Sequence, residues 1–366
     1  MNFAKPFFQL LRYALWQRGN VPTELTPPLF KVVKQFAEEQ TVWGLVCGAI
    51  VRNNVQTGDD NAMDAMGMTL TCQRSARKMA DVLQRVVHVL ELEKDLPYAV
   101  FKGQAAAACY PQPELRALGD IDMFFPKASL QRAVTCLEQA FGIKVNCEDL
   151  DKHYDCEIDG VRIELHYKVE TFGSRRHQRY FDRLVEAEVT ADSHAYVDVE
   201  GCRVRTFSPM VHMLVVFKHL FNHFLVEGVG LRQFCDLAVM LHRHHAVMEP
   251  TLLEQHLKHM GYHRAFLAVG MLLVRKLGLP EAEFPLSLDR QRDEPWARRI
   301  LDEVAQRGNF GHNDIHTGLS SRQKSLTTAR NAMKHCIRYM PLARRDILCL
   351  IPKRIGVTIR KHLKGA

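Results

Sequence analysis

A change in hydrophobic periodicity along the chain limits the folds that are open to it. Up to about residue 94, apolar and charged residues recur at helical spacing, as in residues 83–92, which contain neither Gly nor Pro. Strand-like segments follow, with one helix-like segment between them. The strand-like segments are 97–101, 120–125, 153–158 and 161–167, and the helix-like segment is 129–142. After Ser208-Pro209, which is typical of a helix N-cap and the first helical position, the pattern is helical again.

These patterns predict an α+β fold with a small mixed β-sheet between two sets of helices. We expect an N-terminal helical region over 1–94, a core over 95–207 and a C-terminal helical region over 208–366. Within the core, Asp159-Gly160 joins two alternating segments and favours a type I′ hairpin turn, in which both central residues have positive φ. A second hairpin is predicted over 195–207.

The predicted core contains a pair of acids in an otherwise apolar strand. Asp120 and Asp122 alternate with Ile121, Met123 and Phe125. Side chains at positions i and i+2 of a strand share a face, so the two carboxylates project together. Burying their repulsion is costly unless a cation compensates it, and Mg²⁺ and Mn²⁺ prefer oxygen ligands. The pattern therefore predicts a divalent-metal site, and the alternative is an acidic pair on a surface strand.

A third acid, Glu164, lies in the alternating segment 161–167. The predicted turn brings Glu164 opposite Asp155 on the partner strand. If this hairpin lies beside the Asp120 strand, Glu164 completes a three-carboxylate site for two metal ions, which can align an attacking hydroxyl with a nucleotide α-phosphate. The alternative for Glu164 is an outward side chain paired with Arg162 or Lys168.

Three stretches together resemble a known family. They are FKGQAAAACYPQPELRALGDIDMFF at 101–125, VRIELHY at 161–167 and GLRQFCDLAVML at 230–241. They are similar to a bacterial nucleotidyltransferase family of the Lys-Gly … Asp-Ile-Asp type, within the DNA polymerase β-like nucleotidyltransferase superfamily. The likeness spans about residues 75–245. The chain departs from the superfamily at Gln104, where Ser or Gly is usual, and in its slightly long spacing from Gly103 to Asp120.

The resemblance implies a reaction and a set of ligands. The reaction is transfer of a nucleoside monophosphate from ATP or another NTP to an acceptor hydroxyl, with release of pyrophosphate. Asp120, Asp122 and Glu164 are expected to bind two Mg²⁺ or Mn²⁺ ions, and Glu164 also to help deprotonate the acceptor. The residues expected to bind the nucleotide are Lys102, Gly103, Gln104 and Arg116.

The residues themselves leave other roles open for this second set. Lys102 can be a solvated lysine at a strand end, and Gly103 can simply allow a tight turn. A turn without a Cβ also lets phosphate approach the backbone N–H groups. Arg116 can equally pair with Glu114 or Asp120.

Further residues are candidates for the cleft wall or the acceptor site. They are His166, His219, His223, Arg232 and Asp236. His166 shares the predicted face of Glu164, although a half-buried strand histidine fits the same pattern. His219 and His223, with His212, fall on one face of the helix after Pro209, where lining the cleft or packing on the sheet is favoured over zinc binding. Arg232 and Asp236 are one turn apart and are expected to form an ion pair that orients the C-terminal helices.

The positive charge of the chain is concentrated at its end. The net charge is +8, and residues 322–366 contain twelve Lys or Arg and one acid. Generic nucleic-acid binding by the whole surface is therefore disfavoured. The segment 342–366 interleaves basic pairs with apolar residues, and we expect it either to pack as a terminal helix or to dock weakly on an acidic surface such as an anionic membrane.

Other features limit the location and the class of protein. The N-terminus is amphipathic, and neither a signal-like segment nor a run of about eighteen apolar residues is seen. The ten cysteines form no Cys-x-x-Cys pair, which favours a reduced, cytoplasmic protein. Walker A, GxGxxG, Gly-x-Ser-x-Gly and kinase catalytic-loop motifs are absent. Two alternatives stay open: a toxin-like nucleotidyltransferase that modifies RNA or protein, and a catalytically silent binding or scaffold protein that retains the fold.

Overall fold

The computed structural model describes residues 3–147, 152–190, 195–226, 228–308, 330 and 333–350. The helices are α1 Ala4–Trp16, α2 Pro27–Glu39, α3 Trp43–Arg52, α4 Asp59–Leu92, α5 Gly103–Ala107, α6 Lys127–Phe141, α7 Arg175–Thr190, α8 Pro209–Val226, α9 Leu231–His244, α10 Pro250–Met260, α11 His263–Leu272 and α12 Arg290–Arg307. Residues 333–339 and 344–350 are also helical. The strands are β1 Ala99–Phe101, β2 Ile121–Phe124, β3 His153–Ile158, β4 Val161–His166, β5 Ala195–Val199 and β6 Cys202–Thr206.

The first four strands form one mixed sheet in the order β1-β2-β4-β3. β2 runs antiparallel to β1 and parallel to β4, and β3 runs antiparallel to β4. Strands β5 and β6 form a separate antiparallel pair. The α+β class and the small mixed sheet predicted from the sequence are therefore confirmed.

Both predicted hairpins are present, and the Asp159-Gly160 turn has the predicted backbone. Asp159 and Gly160 have φ of 52° and 71°, and Glu200 and Gly201 have φ of 49° and 83°. Positive φ at both central residues is the requirement of a type I′ turn, which matches the twist of the flanking strands. The Asp159-Gly160 turn sets the register of the β3–β4 hairpin and thus decides which face Glu164 occupies.

Helix α7 was not predicted. Its buried residues His177, Phe181, Val185 and Val189 recur every four positions among charged residues, which is a helical pattern. This helical pattern lies between the β3–β4 pair and the β5–β6 pair. The alternating patterns of those strands are the stronger signal in this part of the sequence.

The two faces of the mixed sheet have different surroundings. Val100, Met123 and Leu165 point to one face and belong to a core shared with the second half of α4 and with α6. The residues directly before and after these three in each strand point to the opposite face, since side chains alternate along a strand. On that face lie Asp122 and Glu164, the residues that the sequence singles out.

Helix α8 begins where Ser208-Pro209 predicted a helix start. The Ser208 hydroxyl accepts a hydrogen bond from the Val211 N–H, as an N-cap residue does. Among the described helices, α8 alone is long and apolar enough to span a membrane, but 67% of it is buried inside the protein. It therefore packs as a core helix behind the acidic face of the sheet.

Candidate active site

Two of the three predicted acids are side by side on adjacent strands. Asp122 of β2 and Glu164 of β4 are register partners in the parallel pair, so their side chains share a face. Asp120 comes directly before β2, two residues from Asp122. Its carboxyl group interacts electrostatically with both Asp122 and Glu164. Asp122 and Glu164 are therefore neighbours on one face of the sheet, and Asp120 lies within electrostatic range of both at the N-terminal end of β2.

Two cationic or protonatable groups contact Asp122. Lys102 Nζ lies 3.0 Å from Asp122 Oδ1, and His166 Nε2 lies 2.8 Å from the same oxygen. Burial opposes ionisation of Asp122, but Lys102 and His166 outweigh it and hold the pKa of this carboxyl far below its ordinary value. His166 Nε2 is also 3.1 Å from Glu164 Oε2. Against the effect of burial, this contact lowers the pKa of Glu164 to about 2.

The turn between β1 and α5 fixes Lys102. This residue has φ of 55° and ψ of −133°, a backbone conformation that costs a non-glycine residue free energy. The ring of His212 on α8 stabilises the turn, since its Nε2 accepts a hydrogen bond from the Lys102 N–H at 3.0 Å. A contact from α8 thus holds the turn from which the lysine side chain reaches Asp122.

Gly103 and Gln104 lie at the start of α5, against Asp120. A Cβ on Gly103 would meet the Asp120 carbonyl oxygen at 3.3 Å, so the absence of a side chain allows this close approach. The Gln104 side chain donates to the same carbonyl at 3.3 Å, while its Oε1 is buried without a partner among the described atoms. Both residues thus shape the backbone next to the acids.

The donor set fits a hard divalent cation. Burial raises the pKa of Asp120, and the charges of Asp122 and Glu164 raise it further. Lys102 is hydrogen-bonded to one of these acids, and Arg232 acts on Asp120 without an ion pair between them in the described part of the chain. Three carboxylates with one bonded ammonium leave negative charge in excess, which Mg²⁺ or Mn²⁺ would balance through oxygen ligands.

A fourth acid, Glu170, lies near this group and was not predicted. It is 2% exposed, His219 Nδ1 lies 2.7 Å from its Oε1, and Asn222 donates to its Oε2 at 2.5 Å. Burial raises the pKa of Glu170, but Lys152 and His219 more than reverse this and hold it well below its ordinary value. Lys102 interacts electrostatically with both Glu170 and His219, so this pair of residues lies near the lysine and the acid that it contacts.

The predicted histidine face on α8 is present, and its members have different partners. His212 contacts the Lys102 turn, His219 contacts Glu170, and the ring of His223 lies 4.3 Å from that of His219. Burial lowers the pKa of His212 and of His219 to about 3 each. Both imidazoles are therefore neutral near pH 7.

Arg116 and Asp236 form a buried ion pair, and Arg116 also interacts electrostatically with Asp120. Arg116 donates to both carboxylate oxygens of Asp236, at 3.1 and 2.7 Å, and Tyr110 donates to Asp236 at 2.7 Å. Arg232 donates instead to the Ala117 carbonyl oxygen at 2.9 Å. The expected Arg232–Asp236 ion pair is therefore wrong, because Arg116 reaches both oxygens of Asp236 and leaves Arg232 to a backbone acceptor.

Sequence reasoning missed the residues that support the site from other elements. They are His153, Glu170, His212 as the partner of the Lys102 N–H, and Asn222. Glu170 follows β4 in a segment without a periodic pattern, so no local signal identifies it. His153 is the register partner of His166 in the predicted hairpin, and that pairing was the signal available for it.

Comparisons with known proteins agree with the resemblance seen in the sequence. A family model described as "Uncharacterised nucleotidyltransferase" matches residues 31–278, more than half of the chain. None of the curated proteins matches the chain.

Two solved structures are similar to it at low identity. One is an antigenic nucleotidyltransferase-like protein from Paracoccidioides brasiliensis, with 13% identity, a TM-score of 0.36, and coverage of 59% of this chain and 96% of that chain. The other is the antibiotic-resistance factor ANT(2'')-Ia, with 15% identity, a TM-score of 0.32, and coverage of 48% of this chain and 90% of that chain.

Proposed function

Since this chain belongs to the uncharacterised nucleotidyltransferase family, we propose that it transfers a nucleoside monophosphate from an NTP to an acceptor hydroxyl. The acceptor oxygen forms a bond to the α-phosphorus, the bond from that phosphorus to the β-bridging oxygen breaks, and pyrophosphate leaves. The single observation that carries the proposal is the pairing of Asp122 with Glu164 on adjacent parallel strands, with Asp120 beside them.

We propose that Asp120, Asp122 and Glu164 hold the two Mg²⁺ or Mn²⁺ ions. When bound, such ions neutralise phosphate charge and orient the attacking and leaving oxygens. Lys102 would hold Asp122 in position and add positive charge near the triphosphate, with Gly103 and Gln104 forming the adjacent backbone. Arg116 is engaged by Asp236, so we assign it to positioning the segment before β2 rather than to direct phosphate contact.

The acceptor side of the cleft would be formed by α8. Glu164 and His219 are both weak bases without substrate, since the contact with His166 outweighs burial and lowers the pKa of Glu164 to about 2, and burial lowers the pKa of His219 to about 3. His219, oriented by Glu170, offers a neutral imidazole whose Nε2 can take the acceptor proton. Burial and the charge of Lys102 lower the pKa of His219, and a bound triphosphate would offset the second of these causes.

Two proposals concern the rest of the chain. We propose a cytoplasmic protein, in keeping with ten cysteines that are all free thiols. We also propose that the basic segment 342–366 docks weakly on an anionic membrane surface. Arg344 and Arg345 are exposed, and residues 351–366 lie outside the described part of the chain.

The function is tested by following radiolabel from each of the four α-labelled NTPs into small molecules, RNA and protein. We expect magnesium-dependent labelling of one pool, and the labelled pool identifies the acceptor class. Asp122→Asn should abolish labelling. His219→Gln should lower kcat by about 10²–10⁴ with little change in the KM for NTP, as expected for a lost proton acceptor.

The matched control is Asp81→Asn, an exposed acid of α4. Labelling that is as fast in Asp122→Asn as in the wild type would exclude Asp122 as a metal ligand. Folded wild-type protein that binds neither Mg²⁺ nor any NTP would favour a silent scaffold. Labelled RNA or protein would favour the toxin-like alternative.

A further inference from the structure

Two histidines and one acid form a second cluster of metal-binding side chains on the acidic face of the sheet. His153 begins β3, and its register partner on β4 is His166. Glu164 is two residues before His166, so all three side chains share one face. Among the described residues, one donor atom of each lies within 4.8 Å of the others. This cluster sits beside the three carboxylates and shares Glu164 with them.

Several histidine nitrogens of the cluster lack hydrogen-bond partners. Both ring nitrogens of His153 are buried and make no hydrogen bond in the described part of the chain, and on His166 the same holds for Nδ1, while Nε2 contacts Asp122 and Glu164. His153 is 9% exposed and His166 is fully buried. Leaving a buried polar nitrogen unpartnered costs free energy, and such groups commonly indicate a missing ion or water.

The spacing of the donors suits one small ion. His153 Nε2 lies 3.6 Å from Glu164 Oε1, and His166 Nε2 lies 3.1 Å from Glu164 Oε2. Bonds of about 2.0–2.2 Å to a tetrahedral ion separate neighbouring donors by about 3.4 Å. The two distances end on different oxygens of Glu164, and one donor atom from each of the three residues lies within 4.8 Å of the others, so the side chains must close around the ion to complete the geometry.

We propose that His153, Glu164 and His166 form a binding site for a borderline divalent ion such as Zn²⁺ or Co²⁺. Two imidazoles and one carboxylate favour these ions, whereas Mg²⁺ prefers oxygen ligands. The imidazole binds as a neutral ligand through Nε2, so the Nε2 proton of His166 moves to Nδ1, or to solvent where Nδ1 already carries a proton, and the contact with Asp122 is given up. The ion also takes Glu164 away from the magnesium site. Zinc therefore inhibits nucleotidyl transfer, a consequence that rests on the proposed function.

Cobalt binding tests the site without any nucleotide. Chelator-stripped, full-length protein is titrated with CoCl₂ and followed by visible absorption. We expect one equivalent to give the ligand-field bands of a four- or five-coordinate ion with nitrogen ligands. ZnCl₂ should bleach these bands, and MgCl₂ should not. His153→Gln and His166→Gln should each weaken cobalt binding by at least about tenfold. Replacing a residue that only supports a metal ligand already weakens metal binding by about this factor, and losing a ligand should cost no less.

His219→Gln is the matched control, since it removes a histidine of the same cleft outside the cluster and should leave the cobalt bands unchanged. Folded wild-type protein that gives no bands would overturn the proposal, as would His153→Gln that binds cobalt as tightly as the wild type. If the variants do not fold, X-ray absorption of the zinc-loaded wild type decides the matter. Scattering from two imidazoles supports the site, and an oxygen-only shell rejects it. A cobalt site in a protein without transferase activity would reject the proposed function alone.

Discussion

Lys102 illustrates how one residue joins the backbone of the site to its charge. Its N–H is held by His212, its Nζ is held by Asp122, and its φ is positive. The lysine is 8% exposed, yet burial fails to lower its pKa because Asp122 and Glu170 raise it above the ordinary value. The site therefore contains a permanent cation whose position depends on one acid.

The pairing changes what Asp122→Asn should do to stability. From the sequence alone, removing one of two repelling acids should cost little. In the structure the substitution leaves the buried Lys102 cation without its ion-pair partner, and breaking a buried pair costs about 3 kcal/mol or more. We expect the free energy of unfolding, measured by urea denaturation, to fall by about this amount, and Asp122→Asn with Lys102→Met to recover most of it. Asp81→Asn is the exposed control. If Asp122→Asn unfolds at the wild-type urea concentration, the ion pair contributes no stability.

Helix α8 is the element on which the supporting contacts of the site converge. It carries His212, which holds the Lys102 turn, and His219 and Asn222, which hold Glu170. The spacing of ten residues from His212 to Asn222 fits nearly three helical turns, so these side chains lie along one side of the helix. The geometry of the cleft is thus coupled to the packing of one helix.

The His212 contact makes the fold sensitive to acid. Its Nε2 accepts a hydrogen bond from the Lys102 N–H. If this nitrogen were protonated, two N–H donors would face each other and the hydrogen bond would be lost. Burial, with a smaller contribution from His244, lowers the pKa of His212 from an ordinary 6.5 to about 3. Between these values the unfolded chain binds more protons than the folded one. The contribution of neutral His212 to the free energy of unfolding is therefore fully present above pH 6.5. It falls as the pH drops toward 3, and the loss is about 2 kcal/mol at pH 5.

Urea denaturation at pH 7.5 and pH 5.0 measures this effect. In His212→Gln the amide oxygen can still accept the hydrogen bond from the Lys102 N–H. Between pH 7.5 and pH 5.0 we expect the free energy of unfolding of this variant to fall by about 2 kcal/mol less than that of the wild type. His88→Gln, at an exposed position of α4, should behave as the wild type. An equal loss in the wild type and in His212→Gln would assign the acid sensitivity to other groups.

At the scale of the whole molecule, buried polar contacts tie distant parts of the chain together. Arg116, before β2, is paired with Asp236 of α9. In the helical segment 344–350, Asp346 accepts from the Tyr262 hydroxyl at 2.6 Å and from the Ser174 N–H at 2.9 Å. Lys218 Nζ of α8 lies 3.9 Å from the same carboxylate. The beginning of the basic segment is therefore part of the folded protein.

This packing decides how membrane docking is tested. Deleting 342–366 would remove the buried Asp346, so the informative variant replaces the exposed Arg344 and Arg345 with Gln. Binding of this variant to phosphatidylserine-containing vesicles, measured by co-sedimentation at low salt, should be about thirtyfold weaker than that of the wild type. The reason is that each basic residue near the surface contributes ~1 kcal/mol to binding. The control pair is Arg74→Gln with Arg77→Gln on α4. Absence of wild-type binding at low salt would rule out the membrane interaction.

The sequence by itself determined the local features of this protein. Alternation placed Asp122 and Glu164 on strand faces opposite the apolar core, and Asp159-Gly160 set the hairpin register, because both depend on neighbours within a few residues. Tertiary structure decided the partners of the charges. Asp236 pairs with Arg116 rather than with Arg232, and Glu170 is joined to the site by His219 and Asn222 of α8. Such contacts join residues far apart in the chain, and no local spacing encodes which of several buried charges will meet.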